Sequence, residues 1–263
     1  MTQADQARFH AHVQAINGCN QRGGRMLSLV DLIEAHTVDL SLAAYLAAMM
    51  RGGASLLVGA RSGGAGKTAA MCALLNFLPD DAVIRPVASR AAFASAQGSD
   101  LPGRTCYLAH EIGAGHYYAY VWGEQARAFL RLRQHGHIIV SNLHADTLPE
   151  TYQQLCEEVG APPEDVLRVD LKMYLGVRCT GPWSVQRWVS RVYESSGTAD
   201  RLLWTGGADG VFERQADSAF VPRDAEGAYL SFLRSLAHSN TRRIEAVRRA
   251  VIQAGPSPAG PSR

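Results

Sequence analysis

The chain has 263 residues, enough to bury one sizeable core, and is 47% hydrophobic and 19% charged. A formal net charge of +2 gives no direct nucleic-acid signal. The five cysteines, Cys19, Cys72, Cys106, Cys156 and Cys179, include no closely spaced pair, which points to free thiols in a reducing compartment and not to a disulfide frame or zinc site.

Residues 1–25 are polar, and MTQADQARFHAHVQ lacks an apolar signal core; the stretch reads as an arm or short helix ending in QRGGR. LSLVDLIEAHTVDLSLAAYLAAMM predicts two helices broken near Thr37, with Asp39 capping the second. The longest apolar run, Leu40 to Met50, falls short of the ~20 residues of a membrane span, so a cytoplasmic protein is expected. ASLLVG predicts a buried strand, and KTAAMCALLNFL a helix stopped by Pro79. DAVIRPVA predicts a brief or edge strand because of Pro86, and RTCYLAHE a third strand. A helix is predicted over much of residues 116–134, followed by GHIIVSNLHA as a fourth strand. From Thr147 to Leu175 the pattern reads as helical; QRWVSRVYE and RLLWTG then read as short strands. AEGAYLSFLRSLAHSNTRRIEAVRRAVIQA is helical in pattern, and the tail GPSPAGPSR has the composition of a disordered segment. The alternation predicts an α/β fold, a mostly parallel sheet flanked by helices with a helical C-terminal extension.

LLVGARSGGAGKTAAM, residues 56–71, nearly matches the phosphate-loop pattern G-x-x-x-x-G-K-[ST]. Such a loop needs glycines so that backbone N–H groups can turn around an anion. It also needs a lysine for the phosphates, a hydroxyl for Mg²⁺ and a helix N-terminus facing the charge. Gly63, Gly64, Ala65, Gly66, Lys67, Thr68 and Ala69 are therefore the candidate ATP-binding residues, with Thr68 as the Mg²⁺ ligand. Arg61 stands where the first glycine belongs, and Gly59 is the residue that could ease the turn in its place. The alternative is a glycine loop with a structural role only.

The segment from LSLVDLIEAHT through the loop to Ile84 resembles the entry to the catalytic domain of secretion ATPases, the motors of type II and type IV secretion and of pilus assembly. The matching elements are Asp31-Leu32-Ile33, Thr37, Ala43-Ala44-Tyr45-Leu46 and Leu74 to Pro79. GHIIVSNLHADT resembles the family's histidine box, with Gly136, His137, His144 and Ala145 in place. The resemblance implies that His144 senses the γ-phosphate; a packed histidine at a strand end is the alternative. CYLAHEIG resembles the strand closed by an acidic residue, with Glu111 as the carboxylate that polarises the attacking water or holds Mg²⁺ through water, and His110 in place of a glycine. Glu124, in VWGEQA, is the rival. The family's acidic box has no counterpart, since AVIRPVASRAAF carries Arg85 and Arg90 and no carboxylate. Arg187 and Arg191 resemble arginines that reach a neighbouring subunit's phosphates, with surface arginines on a strand as the plainer reading.

The resemblance covers roughly residues 26–195. It implies a P-loop NTPase core of RecA-like fold between an N-terminal arm (1–25), a C-terminal extension (196–254) and a tail (255–263). The family's large N-terminal domain has no counterpart ahead of the loop. The resemblance further implies an ATPase using ATP and Mg²⁺, with Lys67, Glu111 and His144 as catalytic residues. A homo-oligomer is implied, a hexamer in the family, serving secretion or pilus machinery at the inner face of the membrane. A degenerate nucleotide-binding regulatory or structural module with little hydrolysis is the second reading, and a small P-loop phosphotransferase the third.

Overall fold

The computed structural model describes residues 2–20, 23–87, 104–115, 117–181 and 184–260. Helix α1 (Gln3–Gly18) begins at Thr2, whose hydroxyl accepts from the Asp5 amide while the Asp5 carboxylate accepts from the Thr2 amide. Both otherwise unpartnered donors are satisfied by this exchange, so the polar start is a helix of 16 residues. A second exchange, Ser28 with Asp31, opens α2 (Leu29–Glu34). Asp39 caps α3 (Leu40–Arg51) as its sequence predicts, accepting from the Leu42 amide at 2.7 Å. Every residue of α3 from Leu42 to Arg51 is buried, so this helix runs through the core and not along its surface.

Strand β1 (Leu56–Gly59), helix α4 (Lys67–Leu75), edge strand β2 (Val83–Pro86) and β3 (Thr105–Ile112) follow the predicted order. The helix expected over residues 116–134 is shorter. Part of that stretch is the two-residue strand β4 (Tyr120–Val121), and the helix α5 covers only Glu124–Arg131 before a 3-10 turn. Strand β5 (Ile138–Leu143) comes next, then α6 (Leu148–Tyr152) running into a π-turn, and α7 (Pro163–Leu167). The helical reading up to Leu175 fails at Leu171, where β6 (Leu171–Gly181) begins. Its apolar residues satisfy period two as well as 3.6, and pairing with strands on both sides decides between them. Strands β7 (Ser184–Ser195), β8 (Asp200–Gly206) and β9 (Phe212–Arg214) and helices α8 (Arg223–His238) and α9 (Ile244–Ala254) complete the chain.

The strands form one sheet in the order β2-β3-β5-β1-β6-β7-β8-β9, with β4 joined to β3. Pairings from β2 to β6 are parallel and those from β6 to β9 antiparallel. The sheet is therefore mixed, and the expected parallel arrangement holds for its first half only. Short turns between successive strands reverse direction, whereas parallel neighbours need long crossovers. Alternate residues face opposite layers: Leu56 and Val58 join the core with α3, α4, α8 and α9, while Leu57 joins the core with α5 and α7.

The proline-rich stretch after α9 follows the body as far as residue 260. Tyr229 Oη lies 3.2 and 3.0 Å from the Pro256 and Ser257 carbonyls, and a Cβ on Gly52 would stand 2.5 Å from Gly260 Cα. Among the described residues, no helix is long and apolar enough to cross a membrane.

Candidate functional site

Parallel strands bring their C-terminal ends to one edge of the sheet, and there the turn leaving β1 meets the ends of β3 and β5. Gly59 is fixed by close approach: a Cβ there would sit 2.4 Å from the Ala145 carbonyl oxygen and 2.7 Å from the Tyr174 ring. Arg61 needs no left-handed backbone. Its amide donates to Asp146 Oδ1 at 2.7 Å, the Asp146 amide donates to Glu150 Oε2 at 2.7 Å, and Glu150 Oε1 lies 3.7 Å from the Arg61 guanidinium. That closed circuit accommodates the residue that departs from the loop pattern.

Gly64 and Gly66 have φ of +79° and +94°, a conformation that favours glycine. Gly66 then hands the chain to α4, its carbonyl accepting from Ala70 at 2.9 Å. The first amides of the helix, those of Lys67, Thr68 and Ala69, are the ones helical geometry leaves without an internal acceptor, at the positive end of the dipole. Residues 62–70, and so every predicted loop residue from Gly63 to Ala69, line a cavity of about 560 Å³.

Glu111, at the end of β3, and His144, just beyond β5, face the same cavity. Glu111 is buried; its Oε2 lies 3.6 Å from Lys67 Nζ and its Oε1 2.5 Å from His144 Nε2, whose own ring is half exposed. Lys67 also donates to the Ala60 carbonyl at 2.6 Å. Burial lowers the Lys67 pKa, opposed by the charges of Glu111 and Asp146. With β5 between them, β1 and β3 stand about 10 Å apart at the usual ladder spacing, so only long side chains meet across the gap. Thr68 Oγ1 lies 3.4 Å from Asn142 Nδ2, which donates to the His110 carbonyl at 2.7 Å.

The rival carboxylate, Glu124, is the exposed first residue of α5 and does not line the cavity. Arg187 reaches the loop from β7 of the same chain, its Nε donating to the Gly64 carbonyl at 2.8 Å; Arg191 is exposed on that strand away from the cavity. Arg85 lies on β2, and Arg90 falls outside the described residues. Sequence reasoning missed Asn142, Asp146 and Tyr120. Asn142 left one signal, an amide inside the apolar run IIVSNL. Tyr120 lines the cavity and stacks on His110, ring centroids 5.7 Å apart, through a strand pairing that local pattern does not reveal. Burial lowers the His110 pKa and raises that of Tyr120, the charge of Glu111 adding to the second. Met26, Leu27, Leu32 and Ala35 add apolar wall to the cavity, beside the polar Asn20, Arg25 and Thr37.

No family model matches the chain, and no curated protein matches it. Solved structures to which it is similar include the VirB11 ATPase from the Brucella suis type IV secretion system in complex with sulphate, at 18% identity and a TM-score of 0.43 over 63% of this chain. Another is the Legionella pneumophila ATPase DotB, at 10% identity and a TM-score of 0.45 over 89% of this chain. The chain spans 54% and 64% of the lengths of these two proteins.

Proposed function

We propose that this chain is a P-loop nucleoside triphosphatase of RecA-like fold and of the secretion-motor type, binding ATP with Mg²⁺ and hydrolysing it. One observation carries the reading: the loop after β1, the carboxylate of Glu111 and the imidazole of His144 meet in one cavity, with a single strand between loop and carboxylate. In this reading the backbone amides of Gly63 to Ala69 and the Lys67 ammonium hold the phosphates, and the apolar side chains of Met26 and Leu32 take the base. Glu111 orients and deprotonates the attacking water, and His144, within contact of Glu111, senses the γ-phosphate.

The donor set suits Mg²⁺. Thr68 offers a hydroxyl beside the lysine, an oxygen ligand of the kind this ion takes alongside phosphate and water. When bound, the ion would neutralise charge on the phosphates. Lys67 and Arg187 add fixed positive charge from the protein, Arg187 through its hold on the Gly64 peptide.

Residues 26–195 form the catalytic core of this proposal, residues 196–254 its extension. The working assembly is a homo-oligomer, hexameric by resemblance, at the cytoplasmic side of a membrane-embedded secretion or pilus machine. Arg85 on β2, where the resembled family has its acidic box, favours a second reading in which nucleotide is bound and barely hydrolysed. Phosphate release from Mg²⁺-ATP separates the two. The motor reading expects turnover that falls at least about 100-fold in Glu111→Gln while ATP still binds. Wild-type turnover no higher than that of Glu111→Gln would leave the binding module.

A further inference from the structure

Two cysteines far apart in sequence come together beside the loop helix. Cys19 closes α1 as its C-cap, is 4% exposed, and lines both the 560 Å³ cavity and a neighbouring one of 340 Å³ between α1 and the β2–β3 edge. Cys72 lies on α4 with no exposed surface. Each thiol shifts the other's pKa, lowering that of Cys19 and raising that of Cys72. Both also approach the last turn of α1: Cys19 Sγ is 3.5 Å from the Ala15 carbonyl oxygen and Cys72 Sγ 4.0 Å from that of Ile16.

We propose that Cys19 and Cys72 form a peroxide-sensitive dithiol, a modification site that ties α1 to the helix carrying the phosphate loop. The two thiols are not equivalent. Cys19 borders both cavities, so a small peroxide reaches it first, and the neighbouring Cys72 lowers its pKa. Cys72 is sealed, and the neighbouring Cys19 together with burial holds its pKa up, so it meets only what Cys19 presents. The Cys19 thiol gives up its proton and the thiolate attacks one peroxide oxygen; an S–O bond forms, the O–O bond breaks, and the departing hydroxide takes up that proton and leaves as water, giving a sulfenic acid. The Cys72 sulfur then attacks the Cys19 sulfur, the S–S bond forms, the S–O bond breaks, and a second water leaves with the remaining thiol proton. Both sulfurs are oxidised and the peroxide is reduced.

A disulfide at about 2.05 Å replaces a non-bonded contact, so its closure draws the end of α1 onto α4 and fixes the wall that the two cavities share. Neither the bond nor its test depends on nucleotide hydrolysis. Cys106, like Cys72 without exposed surface, has its pKa raised by burial and is the competing partner.

Native protein is exposed to hydrogen peroxide, alkylated, unfolded and peptide-mapped. The expected result is loss of two of the five free thiols with a dithiothreitol-reversible Cys19–Cys72 peptide. The same link is expected in Cys106→Ser. Cys72→Ser should give instead a dimedone adduct on Cys19, and Cys19→Ser should leave Cys72 reduced. A Cys19–Cys106 link would overturn the proposal, as would oxidation confined to Cys156 and Cys179 or a Cys72 that remains alkylatable. Where a serine variant does not fold, the wild-type map alone decides.

Discussion

The two ends of α4 receive opposite treatment. Its N-terminus opens on a cavity that Lys67 and Arg187 also line. Its C-terminus is closed by protein from three other helices. His12 of α1 lies 3.0 Å from the Leu75 carbonyl oxygen, and Arg51 of α3 donates to Leu78 at 3.2 Å. Arg248 of α9 donates to the carbonyls of Asn76, Leu78 and Pro79 at 3.0, 2.5 and 3.0 Å. Carbonyls at a helix end attract cations as amides at its start attract anions. Where the partner belongs to the fold, it is buried and permanent; where it is a solute, the end is left open. The contrast marks which end is for binding without reference to any motif.

Breaking the closed end should have the largest effect. Arg248 is 2% exposed, and although burial lowers its pKa to about 10, it stays charged at neutral pH. Arg248→Met takes a charged donor from three carbonyls, leaving Leu78 with Arg51 and Pro79 with the Ala82 amide but Asn76 with no other partner among the described residues, and urea unfolding should show a loss of about 3 kcal/mol. A loss below about 1 kcal/mol would mean that water replaces the guanidinium. At the open end, Lys67→Ala should weaken ATP binding about 100-fold, ~2.7 kcal/mol by titration calorimetry, with the unfolding midpoint little changed. If both variants changed the same observable, the division between the ends would not hold.

A smaller effect sharpens the comparison through pH. Burial, and then the charge of Arg248, hold the His12 pKa well below 6.5, so the folded protein keeps this ring neutral with Nε2–H donating to Leu75. The unfolded chain takes up a proton near pH 6.5 that the folded one declines. Stability contributed by the neutral ring is therefore present above that pH and lost below it, at about 1.4 kcal/mol per pH unit. His12→Gln can offer an amide donor to Leu75 without titrating. Urea midpoints from pH 7 to 5 should fall more steeply for wild type, and parallel curves would contradict a buried neutral His12.

Smallest of all is the expected effect of Arg61→Gly. The Arg61 amide that bonds Asp146 belongs to the backbone, and the Glu150 contact is a long one on an exposed side chain, so affinity for ATP should stay within about threefold. A tenfold change would assign the guanidinium a part in binding.

Much of this was legible in the sequence because it is local. The loop, its preceding strand, its following helix and the Asp39 cap depend on residue types at fixed short spacings. The fate of LKMYLGV was not legible, since Leu171 to Val177 suits a helix or a strand until β1 and β7 flank it. Tyr120 and Val121 became a strand only because the end of β3 offered a free edge. Arg61 reads in the sequence as a defect; its remedy, Asp146 with Glu150, lies on a distant turn. The cysteines mislead in the same way, because spacing along the chain conceals that Cys19 and Cys72 meet at the last turn of α1.

The mixed sheet also sets an order of assembly. Strands β6 to β9 can pair through nearby turns, as Cys179 does with Val185, whereas Leu56 must find Val140 on one side and Leu171 on the other. Contacts of large sequence separation pay their loop-closure entropy before they gain anything, so they form late. The hairpins then serve as a template on which β6 receives β1. The cavity becomes complete only when that closure is made, and partly unfolded chains would possess the hairpins before they possess the loop's surroundings.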